Sequence, residues 1–76
     1  MLTIKEIQLI LKRLGYKIST QTIWTTFKIN NINGEHMGNN IFFDLSDVLP
    51  FIEKRVQTTE SEVKELLKDI RTKLSR

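Results

Sequence analysis

The side chains that could carry acid–base or metal chemistry are few in this chain of 76 residues. His36 is the only histidine and cysteine is absent, so the chain lacks the ligands of a zinc site and has no thiol nucleophile. His36 is therefore expected to be a solvated loop residue. Asp44 and Asp47 are close in sequence, but both fall near a predicted helix start, where carboxylates complement the helix dipole. We therefore expect no enzyme activity from the chain alone, no metal and no cofactor.

The overall charge gives a mild indication of an anionic partner. Twelve Lys and Arg against nine Asp and Glu leave a net charge of +3, and hydrophobic residues make up 39%, which is typical of one small globular domain. No strictly apolar run is longer than that of Leu9 to Leu11, which is too short for a spanning helix or a signal peptide. We therefore expect a cytoplasmic location without membrane contact.

Two helices joined by a short turn are predicted at the start of the chain. Thr3 and Glu6 have the spacing of a capping box, which begins a first helix near Ile4, and Gly15 ends it in the left-handed conformation. Ser19 is predicted to cap a second helix over residues 20–29. With only about five residues between them, the two helices must form a helix-turn-helix.

A β-hairpin is predicted over residues 35–44. The segment from Gly38 to Asn40 has the residue types of a tight turn, and the three residues after it favour a strand. Adjacent strand residues face opposite sides, so one of Phe42 and Phe43 is expected in the core and the other partly exposed.

Two more helices complete the predicted fold. Ser46 is favoured as the cap of a helix over residues 47–55, because Pro50 then falls in or just past its first turn. Thr59 is expected to cap a final helix of about sixteen residues. The predicted fold class is α+β and mostly helical: a domain of three helices and a two-stranded hairpin over residues 1–56, with an extra C-terminal helix in residues 57–76.

Three blocks of residues resemble the small winged helix-turn-helix domains of the MerR and excisionase type. They are Leu2 to Ile7, Ser19 to Ile32 with Thr22-Ile23-Trp24 inside it, and Ile41 to Leu49. The resemblance covers roughly residues 2–55. It implies a DNA-binding protein of a bacterial mobile element, an excisionase or a transcriptional regulator, whose residues 19–29 enter the major groove of double-stranded DNA.

The resemblance also implies which side chains contact DNA, from the turn, the second helix and the hairpin or wing. They are Lys17, Thr20, Gln21, Thr25, Thr26, Lys28, His36, Asn39 and Asn40. Asn30 takes the left-handed position where the family has Gly. Thr25 stands where Arg is typical, and Ile29 and Asn31 stand where Lys or Arg is frequent. Fewer cations mean less counterion release, so we expect modest affinity from a monomer.

Two points stay open from the sequence. The final helix carries an apolar stripe that could fold back on its own domain, pair with a second copy in a homodimer, or dock onto a larger protein; its residues are Val63, Leu66, Leu67, Ile70 and Leu74. The missing arginines also favour a second hypothesis, an interaction module that serves as the small subunit of a replication or priming enzyme. Trp24 is interpreted as a core residue in preference to an exposed stacking or anchoring residue.

Overall fold

The computed structural model describes the backbone of residues 1–74 and the side chains of residues 1–73. This part of the chain forms, in order, α1 (Ile4–Arg13), α2 (Thr20–Ile29), β1 (Glu35–Met37), β2 (Asn40–Phe42), α3 (Leu45–Glu53) and α4 (Glu60–Leu74). The α+β, mostly helical fold class and the order of elements predicted from the sequence are confirmed. Over residues 1–74, no helix combines the length and the apolar character that crossing a bilayer would require.

The caps of α1 are those that the sequence predicts. The Thr3 hydroxyl accepts a hydrogen bond from the Glu6 amide at 3.2 Å, and the Glu6 carboxylate accepts one from the Thr3 amide at 2.9 Å. At the other end, Gly15 has a φ of 86° and the Tyr16 amide donates to the Leu11 carbonyl at 2.8 Å. This is a Schellman motif, and it turns the chain directly towards α2.

The second helix begins and ends where the sequence predicts, but its left-handed residue comes one position later than the resemblance implies. The Ser19 hydroxyl accepts from the Thr22 amide at 3.1 Å. The left-handed residue at the other end is Asn31, with a φ of 56°, and not Asn30. Asn30 is the C-cap of α2, with φ −94° and ψ 9°, so the left-handed residue of the Schellman turn is the next one, Asn31.

The hairpin is short and is anchored to the N-terminus. β1 and β2 pair antiparallel with Met37 opposite Asn40, and Gly38 provides the positive φ, 65°, of the two-residue turn. Beyond β2, Phe43 exchanges two backbone hydrogen bonds with Leu2, of 2.9 and 2.8 Å, so the N-terminal residues extend the hairpin. Phe43 is buried and Phe42 is half-buried, which confirms the predicted split between them.

The start of α3 differs from the prediction. Its N-cap is Asp44 and not Ser46, so the helix begins at Leu45 and Pro50 lies in its second turn. The carbonyl of Asp44 accepts from the amides of Asp47 and Val48, which fixes the earlier start. Pro50 cannot donate to the carbonyl of Ser46, but Ser46 is exposed, so water can satisfy that carbonyl.

The final helix folds back on its own domain. Val63, Leu67 and Ile70 are buried in the same core as the apolar face of α1, and Arg13 pairs with Asp69 at 2.5 Å across the two helices. These three residues are therefore inner core and not a free interface for a second copy or another protein, as the alternatives had allowed. Leu66 is half-buried at the edge of the core, and the side chain of Leu74 lies outside the described residues.

Candidate nucleic-acid interface

The second helix presents one side to the core and the opposite side to solvent. Ile23 and Phe27 are fully buried. The helix turns 100° per residue, so the residues opposite them are exposed: Gln21, Thr22, Thr25, Lys28 and Ile29. We call these five residues the α2 face. It is mostly neutral and polar, with Ile29 as an apolar exception whose exposed fraction is 75%.

Three aromatic contacts fix α2 against the rest of the fold. The ring of Phe27 lies edge to face with Phe43 of the hairpin and with Phe51 of α3, with 4.9 Å between centroids in each pair. Trp24 meets Phe43 in the same geometry at 6.4 Å. Such pairs favour one relative orientation of the elements, so the α2 face is held in a defined position relative to the wing.

The predicted contacts on α2 are mostly where a ligand could reach them. Thr20, Gln21, Thr25 and Lys28 are all exposed. Thr26 is different, because it is half-buried and its hydroxyl donates to the Thr22 carbonyl at 2.9 Å. Its hydroxyl hydrogen is therefore used within the helix.

Lys28 and Trp24 form a pair at the border of the α2 face. The Lys28 ammonium lies 5.1 Å from the centroid of the Trp24 ring, within the range of a cation–π interaction. Trp24 is half-buried, with its ring in a T-shaped contact with the core residue Phe43 and with Lys28 above the ring. The indole is therefore a border residue between the core and the surface, and it lies between the two interpretations that the sequence allowed.

The wing residues border grooves on both sides of Trp24. Asn39 and Asn40 line one groove, of about 370 Å³, together with Trp24 and Lys5 of α1. His36 lines another, of about 200 Å³, together with Trp24 and Lys28. The three wing residues expected to contact DNA are thus exposed and border grooves that Trp24 of α2 also lines.

A group of three lysines extends this surface at the N-terminal end of α2. Lys5, Lys12 and Lys17 border a groove of about 500 Å³ between α1 and the turn before α2. The groove is shaped by Gln8, whose side-chain amide donates to the Ile18 carbonyl at 2.9 Å. We call it the lysine groove. Lys5 borders both this groove and the one beside the wing, so the two grooves are neighbours.

The sequence reasoning assigned Lys17 to the interface but missed Lys5 and Lys12. The signal that would have found them is the distribution of charge along the chain. Residues 1–34 contain five of the twelve basic residues and only one of the nine acidic residues, Glu6, which gives this half a net charge of +4. Glu6 is paired with Arg71, whereas within residues 1–74 Lys5, Lys12, Lys17 and Lys28 form no ion pair.

No cluster of three or more His, Asp or Glu side chains that could hold a metal ion occurs among the described residues.

Comparison of the chain with protein-family models, with curated proteins and with solved structures finds no match. The function must therefore be inferred from the chemistry of the surface itself.

Proposed function

We propose that this protein binds double-stranded DNA. In this proposal the α2 face lies in the major groove of the DNA, while the lysine groove and the wing contact the adjacent phosphate backbone. The observation that carries the proposal is the combination of an exposed polar helix face with a neighbouring cluster of lysines that lack acidic partners within residues 1–74. An α-helix fits the major groove, and Lys side chains neutralise phosphates by counterion release.

The arrangement also supports the geometry that such binding needs. In helix-turn-helix proteins the N-terminal part of the second helix contacts base edges, while flanking groups contact phosphates. Here Thr20 and Gln21 open α2, and Lys17 lies in the turn three residues before Thr20. Asn39 and Asn40 of the wing are exposed and line a groove together with Lys5, which also borders the lysine groove.

In keeping with the resemblance stated above, we assign the protein to regulation of a bacterial mobile element, as an excisionase-like protein or transcriptional regulator acting in the cytoplasm. A single copy carries one α2 face, so a two-fold DNA site would be filled by two copies. The number of lysines predicts moderate affinity with a clear dependence on salt.

The decisive experiment is a titration of a fluorescently labelled duplex with the full chain at about 50 and about 200 mM salt. Each phosphate contact contributes a slope of about 0.9 in log K against log salt, so two to four lysine contacts predict a loss of roughly 10- to 100-fold in affinity. Binding that is absent at both salt concentrations overturns the proposal. Binding that is insensitive to salt overturns the role of the lysine groove.

A second candidate function is the interaction module that forms the small subunit of a larger replication or priming enzyme. Two exposed apolar side chains favour it: Ile29 on the α2 face at 75% exposure, and Met37 on the wing at 54%. Exposed apolar groups of this size are more typical of protein contacts than of phosphate contacts.

This second function predicts a protein that co-purifies with the tagged wild-type chain from its host and is lost with the Met37→Ser variant. A matched Asn33→Ser variant changes another exposed residue near the wing and should retain that protein. Recovery of the chain with DNA alone would count against the interaction module.

A further inference from the structure

The α2 face holds side chains that recognise A·T base pairs, and Lys28 is its only side chain of a type that recognises G·C pairs. In the major groove, Gln bonds adenine, apolar groups contact the thymine methyl, Arg and Lys bond guanine, and Asp and Glu bond cytosine. The ten residues of α2 include no Arg, Asp or Glu. Building on the proposed function, we propose that the α2 face selects A·T-rich duplex DNA through Gln21 and through contacts of Thr25 and Ile29 with thymine methyl groups.

The one cation of α2 is positioned for a different task. Lys28 lies over the Trp24 ring at 5.1 Å, at the border of the α2 face. Because Lys28 stands beside Trp24 at this border, we assign it to a phosphate contact, and no other side chain of the α2 face is of a type that bonds guanine.

The remaining side chains offer mainly amide and methyl groups. The hydroxyl of Thr22 lies 2.7 Å from that of Ser19, so it is occupied in the cap of the helix. Ile29 has only apolar atoms to present and is 75% exposed. Burying this side chain against a thymine methyl removes apolar surface from water on both partners, which explains why an isoleucine can stand on a face that is otherwise polar.

The spacing of these residues matches a short run of base pairs. Gln21, Thr25 and Ile29 follow one another at intervals of four residues, so they lie along one side of the helix. At 1.5 Å per residue they span about 12 Å, or about three to four base-pair steps of 3.4 Å. We therefore expect the selected element to be about four to five A·T pairs long in each bound copy.

The test uses the full chain and three duplexes of equal length at about 50 mM salt. The first has an A·T core, the second has the same core with uracil in place of thymine, and the third has a G·C core. Uracil keeps every hydrogen-bonding group and removes only the methyl. We expect the A·T duplex to bind about tenfold more tightly than the G·C duplex, and the uracil duplex to lose several-fold of that affinity.

The uracil duplex also distinguishes direct contacts from DNA shape. A·T-rich DNA can be selected through its groove width without any contact to a base. Such selection would leave the thymine and uracil duplexes nearly equal while both exceed the G·C duplex. That result would overturn the methyl contacts.

A pair of substitutions at one exposed position provides the matched control. Thr25→Ser removes the methyl group and keeps the hydroxyl, whereas Thr25→Val removes the hydroxyl and keeps the methyl group. We expect the preference for thymine over uracil to fall with Thr25→Ser and to persist with Thr25→Val. Ile29→Ser should reduce the same preference, and both residues are exposed, so circular dichroism should show a folded chain.

The outcomes separate this inference from the proposed function. Equal binding of all three duplexes, or a preference for the G·C core, overturns the A·T inference and leaves DNA binding in place. A preference for thymine that is unchanged in both Thr25→Ser and Ile29→Ser overturns the assignment of the contacts to these residues. Failure to bind any duplex at about 50 mM salt overturns the proposed function, and the inference with it.

Discussion

The guanidinium of Arg71 in α4 bonds the carboxylate of Glu6 in α1, with 2.8 Å between Arg71 Nε and Glu6 Oε2. The same carboxylate accepts the Thr3 amide in the capping box of α1, and Arg71 also donates to the backbone carbonyl of Met1. Because Leu2 pairs with Phe43 next to the wing, this contact links α4 to the segment that anchors the hairpin. The C-terminal helix therefore supports the geometry of the α2 face from a distance.

Replacing Arg71 with Ala should lower the free energy of unfolding by about 1 kcal/mol. The Arg71 side chain is 47% exposed, so water compensates part of the lost contact, while Glu6 is 13% exposed and keeps less access to water. Denaturation by urea, followed by circular dichroism, measures the change. The matched control is Lys64→Ala on the same helix, whose pair with Glu60 spans 3.9 Å between exposed groups and should contribute under about 0.5 kcal/mol. Equal losses in the two variants would contradict a special role for Arg71.

The contribution of this pair should disappear in acid. Burial acts to raise the pKa of Glu6. The hydrogen bonds from Arg71 and from the Thr3 amide lower it by more than burial raises it, so the pKa lies below the ordinary value of 4.5. A carboxylate whose pKa is lower in the folded state than in the unfolded state stabilises the fold at pH values above its unfolded pKa. For Glu6 this stabilisation is lost as the pH falls below 4.5 and then through the pKa of the folded state.

The difference in Tm between wild type and Arg71→Ala should therefore be largest near neutral pH and shrink below pH 4.5. The pKa of Asp69 is also lowered, chiefly by its hydrogen bond with Arg13, so both proteins lose stability in acid. Comparing wild type with the variant cancels that shared effect. A Tm difference that stays constant on acidification would contradict the assignment to Glu6.

Replacing Gly34 with Ala should destabilise the wing. A Cβ atom at this position would lie 2.4 Å from Cγ2 of Ile41 and 3.0 Å from two ring atoms of Phe43, so the Ile41 side chain must shift and the buried ring must give way slightly. Overpacking of this kind costs about 1–3 kcal/mol. Thermal denaturation measures the loss, and Asn33→Ala at the neighbouring exposed residue provides a control expected to change stability by under about 0.5 kcal/mol. A Gly34→Ala protein as stable as the control would show that the packing at Ile41 adjusts freely.

The features that the sequence predicts well depend on neighbours in the chain. The capping box of Thr3 and Glu6, the cap at Ser19 and the left-handed Gly15 each arise from hydrogen bonds within a few residues. The predicted start of α3 was wrong for a related reason, because Asp44 and Ser46 are both good capping residues. The preference for Pro in a first turn favoured the wrong one. Local rules can only rank such alternatives. In the fold, the helix that begins at Leu45 has Val48, Phe51 and Ile52 buried in the core.

The features that the sequence does not reveal join distant residues. The bridge between Leu2 and Phe43 and the pair of Glu6 with Arg71 have no local signal. Lys5 and Lys12 enter the candidate interface only because the turn before α2 brings Lys17 beside α1. An amphipathic stripe such as that of α4 shows that a surface is covered but not whose surface, so the three alternatives for this helix could be separated only by the fold.

The lysine groove should contribute to the salt dependence of DNA binding. Changing Lys5, Lys12 or Lys17 singly to Gln should reduce the slope of log K against log salt by about 0.9 for each lysine that contacts a phosphate. All three are exposed, so the fold should be unaffected. Lys68→Gln on α4 is the matched control, since it removes the same charge from an exposed position outside this groove. A slope that falls with Lys68→Gln and not with the other three would place the DNA on the opposite part of the surface.

Lys28 should act on DNA through its charge while contributing little to stability. Lys28→Ala should lower the salt slope by about 0.9 and the free energy of unfolding by at most about 1 kcal/mol, because its contact with Trp24 is at an exposed site. Lys28→Arg keeps both the charge and the ability to stack, so it should bind the duplex nearly as wild type does.

Trp24 is the only tryptophan, which makes its fluorescence a direct reporter of this position. Its emission should change in Lys28→Ala and on addition of duplex to the wild type, while circular dichroism stays the same because the indole remains packed on Phe43. Wild-type affinity and slope in Lys28→Ala would show that the bound DNA does not reach this end of α2.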